Sequence, residues 1–144
     1  MKPAGNDRLM GQMSELVKLQ RYMVHELLTN HPELYPGQPP LLFKLEREDG
    51  QTQKSLAEQL HRAPATVTVM LKRMEAAGYV RREPDPNDLR SLRVYLTDLG
   101  HAALRDLREA FQKLERHARK GFTPEETELM SSLVQRMVQN LKEL

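Results

Sequence analysis

Histidine and serine are the side chains through which this sequence could do catalytic chemistry. His25 and His31 stand six positions apart in the run HELLTNH. The zinc motif of metalloproteases needs two histidines four positions apart on one helical face, and position 29 is a threonine. Scattered histidines are more often surface or capping residues, so we expect no bound metal. A regulatory metal site is the alternative, and it would draw on His25, His31, His101 or His117.

The serines lack the sequence context of a catalytic nucleophile. The chain has no G-x-S-x-G elbow, no phosphate-binding glycine loop and no dinucleotide fingerprint. It also has no cysteine, which excludes disulfides, thiolate metal sites and thiol redox sensing. We therefore expect neither an enzyme nor a cofactor. The eight methionines are interpreted as core filler rather than as the lining of a plastic pocket.

The segment from position 62 to 73 is better suited to binding than to catalysis. Pro64 can open a helix whose inner face is apolar. The opposite face keeps short side chains, which permit close approach to the major groove of DNA, where an α-helix can read base edges. The residues that we predict to contact DNA from this segment are Arg62, Ala65, Thr66, Thr68, Val69, Lys72 and Arg73.

A second set of candidate contacts lies in a turn-rich segment further along the chain. Arg90 follows Asp88 by two positions. A guanidinium on a thin β-ribbon can enter the minor groove of DNA, and a bidentate pair with a neighbouring carboxylate can hold that guanidinium extended. A surface ion pair of little energetic value is the alternative. The predicted contacts of this segment are Asp88, Arg90 and Arg93.

Six helices and one hairpin must position these candidates. Threonines can cap three of the helices, at Thr52, Thr97 and Thr123, and Gly78 is the expected left-handed stop of the fourth helix. The run 31–37, with two prolines, ends the first helix. Hydrophobic spacing of three and four residues predicts helices over about 7–30, 39–48, 53–60, 64–77, 98–120 and 124–144.

Between the fourth and fifth helices the hydrophobic period changes from that of a helix to that of a strand. Residues 79–83 and 92–96 read as two strands, joined by a long polar tip over 84–91. The fold class is therefore mainly α with a small β-hairpin, in the order α-α-α-α-β-β-α-α. Two helices joined by a tight turn and followed by a hairpin predict a winged helix-turn-helix.

The outer helices carry apolar seams that suit helix pairing. The seam of the last helix has spacings of four and three, as in a heptad repeat. Either seam could also pack within one chain. The residues that we predict to mediate dimerisation are Leu9, Met13, Leu16, Met130, Val134, Met137, Leu141 and Leu144.

Three stretches resemble the MarR family of bacterial transcriptional regulators. The first two are LAEQL at 56–60 with APATVT at 63–68, and LKRMEAAGYVRR at 71–82. The third, DLRSLRVYLTDLG at 88–100, is similar to the family's D-x-R wing followed by an L-T-x-x-G helix start. The chain departs from the family at Ala63, where a capping serine is common, and at Val69, where a polar or basic residue is frequent.

The resemblance implies a single MarR-type domain over 1–144. It places the winged helix-turn-helix at about 38–97 and the dimerisation helices at about 7–31 and 98–144. It further implies a homodimeric repressor that binds an inverted-repeat operator in double-stranded DNA and is released by a small aromatic or amphipathic effector. The pocket of that effector is unassigned, although Tyr22, His25 and Phe43 stand where element order brings the two regions together.

Composition leaves two other functions open. A net charge of +2 is small for a nucleic-acid binder, so a winged-helix protein-interaction module is one alternative. A small-molecule binding protein without a DNA role is another, but it leaves the Asp88 and Arg90 pattern unexplained. The chain of 144 residues has no apolar run of about 20 residues and no apolar signal core, so we expect a cytoplasmic protein without a membrane partner.

Overall fold

The computed structural model describes residues 5–34 and 38–144. Outside these ranges lie residues 1–4, which belong to the N-terminal segment without an apolar signal core. Also outside them lie residues 35–37, which end the loop predicted after the first helix. The chain divides into two compact units, residues 1–111 and 112–144. The elements are α1 (Gly5–Leu27), α2 (Pro39–Arg47), β1 (Gln51–Thr52), α3 (Gln53–Gln59), α4 (Pro64–Ala76), β2 (Val80–Asp85), β3 (Asp88–Leu96), α5 (Asp98–Ala118) and α6 (Pro124–Lys142).

The helix starts predicted from threonine caps are confirmed. The side-chain oxygen of Thr52 accepts a hydrogen bond from the backbone N–H of Ser55 at 3.1 Å. Thr97 and Thr123 make the equivalent bonds at the starts of α5 and α6, each also at 3.1 Å. Ala63 precedes α4 without a side-chain cap. Local capping chemistry therefore fixes the starts of α3, α5 and α6.

The β structure differs from the predicted two-stranded hairpin in two ways. A third strand, β1, pairs antiparallel with β3 and gives the sheet order β1-β3-β2. The long tip predicted over 84–91 is wrong, because β2 continues to Asp85 and β3 begins at Asp88. Pro84 pairs with Leu92 whereas Asp85 pairs with Asp88, so residues 89–91 form an insertion in β3. We call β2, β3 and the turn between them the wing.

The first helix ends at Leu27, three residues before the predicted end at Asn30. Pro32 disfavours helix at the preceding residue, and the side chain of that residue, His31, is buried in a polar cluster. His31 Nδ1 lies 3.2 Å from the Tyr79 hydroxyl, and His31 Nε2 lies 2.7 Å from Asp106 Oδ2. These contacts hold the chain after α1 against α5 and the start of the wing.

Tyr79 completes this cluster just before β2 begins. Its hydroxyl donates a hydrogen bond to Glu33 Oε2 at 3.1 Å. Burial, together with the hydrogen bond to the Glu33 carboxylate, raises the pKa of Tyr79 to about 12. The phenol therefore stays protonated through the physiological pH range and acts there as a hydrogen-bond donor.

The core of unit 1 lies between the sheet and helices α2 to α5. Leucines at 41, 42, 45, 56, 71, 104 and 107 are buried there, as are Val67, Val80 and Val94. Burial of such side chains stabilises a fold by about 1.5–3 kcal/mol each. Among the described helices, none is long and apolar enough to cross a membrane.

The start of α5 packs unusually close to the backbone of Tyr79, the residue before β2. Gly100, in the first turn of α5, is buried. A Cβ at this position would lie 2.2 Å from the carbonyl oxygen of Tyr79, well inside a normal contact. The glycine of the L-T-x-x-G motif is therefore required by the approach of two backbones.

We expect Gly100→Ala to lower the free energy of unfolding by about 1–3 kcal/mol, because the clash involves backbone on both sides and forces a shift of α5. Chemical denaturation measures the effect. Gly11→Ala is the matched control, since no atom lies within 4 Å of a Cβ there and alanine favours a helix by about 0.5–1 kcal/mol over glycine. Equal stability of Gly100→Ala and the wild type would contradict the close packing of α5.

Candidate nucleic-acid interface

A tight turn brings α3 and α4 together as a helix-turn-helix. The turn covers residues 60–63, and His61 adopts a positive φ of 51°, a conformation in which histidine is enriched relative to most residues. The backbone N–H of Arg62 donates to the carbonyl oxygen of Ala57 at 3.0 Å. The Arg62 side chain is half-buried, beside the uncapped start of α4.

Helix α4 has one buried face and one open face. Val67, Leu71 and Met74 are buried, whereas Met70 is only half-buried. The open face carries five of the predicted DNA contacts, all of them exposed to solvent. These exposed residues are Ala65, Thr66, Val69, Lys72 and Arg73.

Thr68 differs from the other predicted contacts of α4 because its hydroxyl already has partners. It donates to the carbonyl oxygen of Pro64 at 3.0 Å. It also accepts a hydrogen bond from Gln53 Nε2 at 3.3 Å. The side chain is half-buried, and its polar atom faces α3.

Arg82 of β2 fastens the wing to both helices of the helix-turn-helix. One guanidinium nitrogen donates to Gln53 Oε1 and the other to Glu75 Oε1, each at 3.0 Å. The Arg82 backbone N–H donates to Glu75 Oε2 at 2.9 Å. These hydrogen bonds lower the pKa of the Glu75 carboxyl. The Arg82 side chain is only 14% exposed.

Arg90 stands at the tip of the wing, within the insertion of residues 89–91 in β3. Its side chain is 98% exposed, and its Nε lies 3.8 Å from Asp88 Oδ1. The expected bidentate pair does not form. Asp88 instead accepts the backbone N–H of Arg90 at 3.1 Å and the Ser91 hydroxyl at 3.3 Å. Asp88 therefore orders the backbone of the tip, while the guanidinium extends into solvent.

Arg93, the third predicted wing contact, has partners at the base of the tip. It donates to the carbonyl oxygen of Gly50 at 2.8 Å, and its Nε lies 3.3 Å from Asp85 Oδ1. Asp85 also accepts the backbone N–H of Asn87 at 3.0 Å. That backbone hydrogen bond, with the pairing to Arg93, lowers the pKa of the buried Asp85 carboxyl.

Sequence reasoning missed Gln53, Arg82 and Asp85. Gln53 and Arg82 are 29 positions apart, and no local pattern signals a contact at that separation. Asp85 had a signal in the turn-rich run PDPND at 84–88, because aspartate commonly accepts the backbone N–H two residues ahead in a turn. All three residues position the wing or its tip.

The two predicted dimerisation helices leave apolar side chains exposed, each on its own surface. In α1, Leu9 and Leu16 are exposed and Met13 is half-buried. In α6 no side chain is buried; Met130, Val134 and Leu141 are exposed and Met137 is half-buried, and Leu144, just after the helix, is exposed. Sequence reasoning omitted further exposed apolar residues, namely Met10, Val17, Leu19, Tyr22 and Met23 of α1 and Leu129, Leu133 and Val138 of α6.

The residues suggested for an effector pocket differ in their surroundings. His25 Nδ1 lies 3.1 Å from the carbonyl oxygen of Leu34. Phe43 packs edge-on against Phe111, with ring centroids 5.7 Å apart. Tyr22 is exposed. Within residues 5–34 and 38–144, no group of three or more His, Asp or Glu side chains could hold a metal ion.

Comparison with known proteins identifies the family. The MarR family model matches residues 34–92. The transcriptional regulator HosA of Escherichia coli O111:H- is 33% identical over 114 residues, which cover 79% of this chain and 82% of HosA. The chain belongs to the MarR family. MarR-family proteins are transcriptional regulators and not enzymes.

Other relatives agree over shorter or more distant matches. The regulator TtmR of Methylorubrum extorquens is 40% identical over 74 residues, which cover 51% of this chain but only 37% of TtmR. A crystal structure of MarR superposes with a TM-score of 0.85 at 25% identity, covering 94% of this chain and 98% of that one. A Staphylococcus aureus MepR–DNA complex has the same fold, with a TM-score of 0.75 at 20% identity over 97% and 99% of the two chains.

We expect Glu75→Gln to weaken the attachment of the MarR-type wing, because the substitution removes the charged acceptor of Arg82. The loss of unfolding free energy at pH 7 should be about 1 kcal/mol, since the carboxylate is 38% exposed and solvent screens the pair. The folded-state pKa of Glu75 is lowered, so its stabilisation is present above pH 4.5 and is lost as pH falls through the folded value.

Denaturant titrations between pH 7 and pH 3 measure this dependence. Wild type should lose stability in acid more steeply than Glu75→Gln. Glu58→Gln, at an exposed position of α3, is the control and should follow the wild type. Parallel pH profiles for Glu75→Gln and the wild type would contradict the role given to the Arg82 pair.

Proposed function

We propose that this protein is a homodimeric transcriptional repressor that binds an inverted-repeat operator in double-stranded DNA. Helix α4 lies in the major groove and the wing tip reaches the adjacent minor groove. The observation that carries the proposal is the Arg90 side chain, 98% exposed at the tip of a thin β-ribbon. A guanidinium held in this way suits the narrow minor groove, whose potential is the most negative on the duplex.

The backbone of the tip supports this role for Arg90. Asp88 and Asp85 accept hydrogen bonds from backbone N–H groups at the tip, so the turn is ordered before any DNA is bound. Preorganisation lowers the entropic cost of association. Arg93 donates a hydrogen bond from the wing to the Gly50 carbonyl. We propose that Arg93 positions the ribbon and can also contact a phosphate.

The open face of α4 supports insertion into the major groove. Ala65, Thr66 and Val69 are small and exposed, so the helix backbone can approach the base edges closely. The methyl groups of these three residues suit the C5-methyl group of thymine, whereas Thr66 also offers a hydroxyl. Lys72, Arg73 and Arg62 flank this face and suit phosphate oxygens, which supply most of the affinity of such complexes.

The exposed apolar faces of α1 and α6 support a homodimer. Contiguous apolar surface is rarely left open on a monomer, and α6 alone carries seven apolar side chains, of which six are exposed. A symmetric dimer would present two α4 helices about 34 Å apart, one turn of B-DNA, and so would require an inverted repeat. We further propose that a small aromatic or amphipathic effector releases the DNA, as the resemblance to the MarR family implies.

In vitro selection of duplexes from a random pool at near-physiological salt tests the proposal. We expect enrichment of an inverted repeat with half-site centres about 10 base pairs apart. The selected duplex then serves to screen small aromatic and amphipathic compounds by loss of binding. If a folded, dimeric preparation enriches no motif, with and without such compounds, the protein-interaction reading replaces this one.

We expect Arg90→Ala to weaken binding to the selected duplex by about 1–3 kcal/mol, because the variant loses the minor-groove contact. Fluorescence anisotropy across a salt series measures both the affinity and a salt slope lower by about 1. Arg81→Ala is the matched control on the same ribbon, since the Arg81 guanidinium is engaged with the Tyr95 ring at 4.4 Å. An Arg90→Ala affinity equal to that of the wild type would rule out wing insertion.

We expect Leu141→Glu to convert the dimer to monomer, because it places a charge in the apolar face of α6, where Leu141 is 62% exposed. Sedimentation equilibrium measures the mass. Gln135→Glu, on the opposite face of the same helix, introduces the same charge and should remain dimeric. A dimer that is equally stable in both variants would place the interface elsewhere.

A further inference from the structure

The hydroxyl of Thr68 is the end of a hydrogen-bonded chain that begins in the wing. Arg82 donates to Gln53 Oε1 at 3.0 Å. Gln53 Nε2 donates to Thr68 Oγ1 at 3.3 Å, and Thr68 Oγ1 donates to the Pro64 carbonyl at 3.0 Å. The chain passes from β2 through the first residue of α3 to the first turn of α4.

The direction of every bond in this chain is fixed by the guanidinium at its head. A guanidinium has donors only, so the Gln53 amide must turn its oxygen to Arg82 and its NH₂ group to Thr68. Thr68 must then accept, and its single hydroxyl proton goes to Pro64. That proton is therefore not available to a base, in contrast to our prediction of Thr68 as a contact that reads the DNA.

The head of the chain is held firmly. Glu75 binds the second guanidinium nitrogen and the backbone N–H of Arg82. The Arg82 Nε is a buried atom with no hydrogen-bond partner among the described residues, so the side chain is fixed by its two terminal nitrogens. The fixed guanidinium of Arg82 therefore sets the orientation of the Gln53 amide, with its oxygen toward Arg82 and its nitrogen toward Thr68.

We propose that Gln53 and Thr68 are positioning residues for DNA recognition. They set the first two turns of α4, which carry Ala65, Thr66 and Val69, at a fixed distance from the ribbon that carries Arg90. A base-edge contact fails when its helix is displaced by about 1 Å. This inference rests on the proposed function, because it concerns how the same two elements engage one duplex together.

A double-mutant cycle on the selected duplex tests the proposal. Gln53→Leu removes the bridging amide, and Thr68→Val removes the hydroxyl while keeping the shape of the side chain. We expect each variant to lose roughly three- to tenfold in affinity, the scale of one hydrogen bond. The double variant should lose no more affinity than the single variant with the larger loss, because both substitutions break the same hydrogen-bonded chain. Thr68→Ser, which keeps the hydroxyl, should restore most of the affinity.

Two further variants serve as controls. Thr66→Val removes the neighbouring exposed hydroxyl, and its loss should add to that of Gln53→Leu. Gln59→Leu makes the same substitution at the other end of α3, where the side chain bonds Gln51 and Ser55, and it should change affinity less than twofold. Thermal unfolding verifies that each variant is folded at the assay temperature.

Repeated selection with the single variants separates positioning from base reading. Under the proposal, Gln53→Leu and Thr68→Val relax the preference at the same several base pairs of each half-site. If Thr68 reads a base, Thr68→Val alters one base pair, Gln53→Leu keeps the wild-type preference, and their losses add. That result overturns the positioning role but leaves the proposed function intact. A folded wild type that selects no duplex removes both.

Discussion

The guanidinium of Arg82 is the contact on which the geometry of the winged helix-turn-helix depends. A wing of two strands has little core of its own, and an isolated hairpin is marginally stable in water. Arg82 joins this ribbon to α3 through Gln53 and to α4 through Glu75. Because only 14% of the Arg82 side chain is exposed, water replaces few of the hydrogen bonds that its guanidinium makes. The ribbon and the two helices are thereby one unit.

A second constraint comes from the outer helices. α6 has 19 residues and no buried side chain, and a helix of this length is marginal in water without an apolar face packed on a partner. Its exposed apolar residues therefore require a cover if the helix is to persist. The stability of the proposed DNA-binding unit depends on contacts inside unit 1. The stability of α6 instead depends on a partner surface that covers its apolar side chains.

Local signals were enough to predict most of the helices, whereas contacts distant in sequence were not. Threonine at 52, 97 and 123 marks helix starts because the cap is a bond over three residues, and Gly78 marks a stop because its φ of +89° suits glycine. Strand β1 has two residues and carries no period. Spacing left a bidentate Asp88–Arg90 pair and a weak surface ion pair both open, because it does not tell which backbone N–H groups compete for a carboxylate.

The wing is anchored at its start as well as at its middle, and the two anchors differ in kind. Tyr79, the residue before β2, donates to Glu33 and lies within hydrogen-bond distance of His31, which also contacts Asp106 of α5. The carbonyl of Tyr79 meets α5 at Gly100, where even a Cβ does not fit. A displacement of α5 or of residues 31–34 must therefore move Tyr79, the residue that precedes the wing. Arg82, three residues after Tyr79, carries that movement to α3 and α4, so α5 and residues 31–34 are mechanically connected to these two helices through β2.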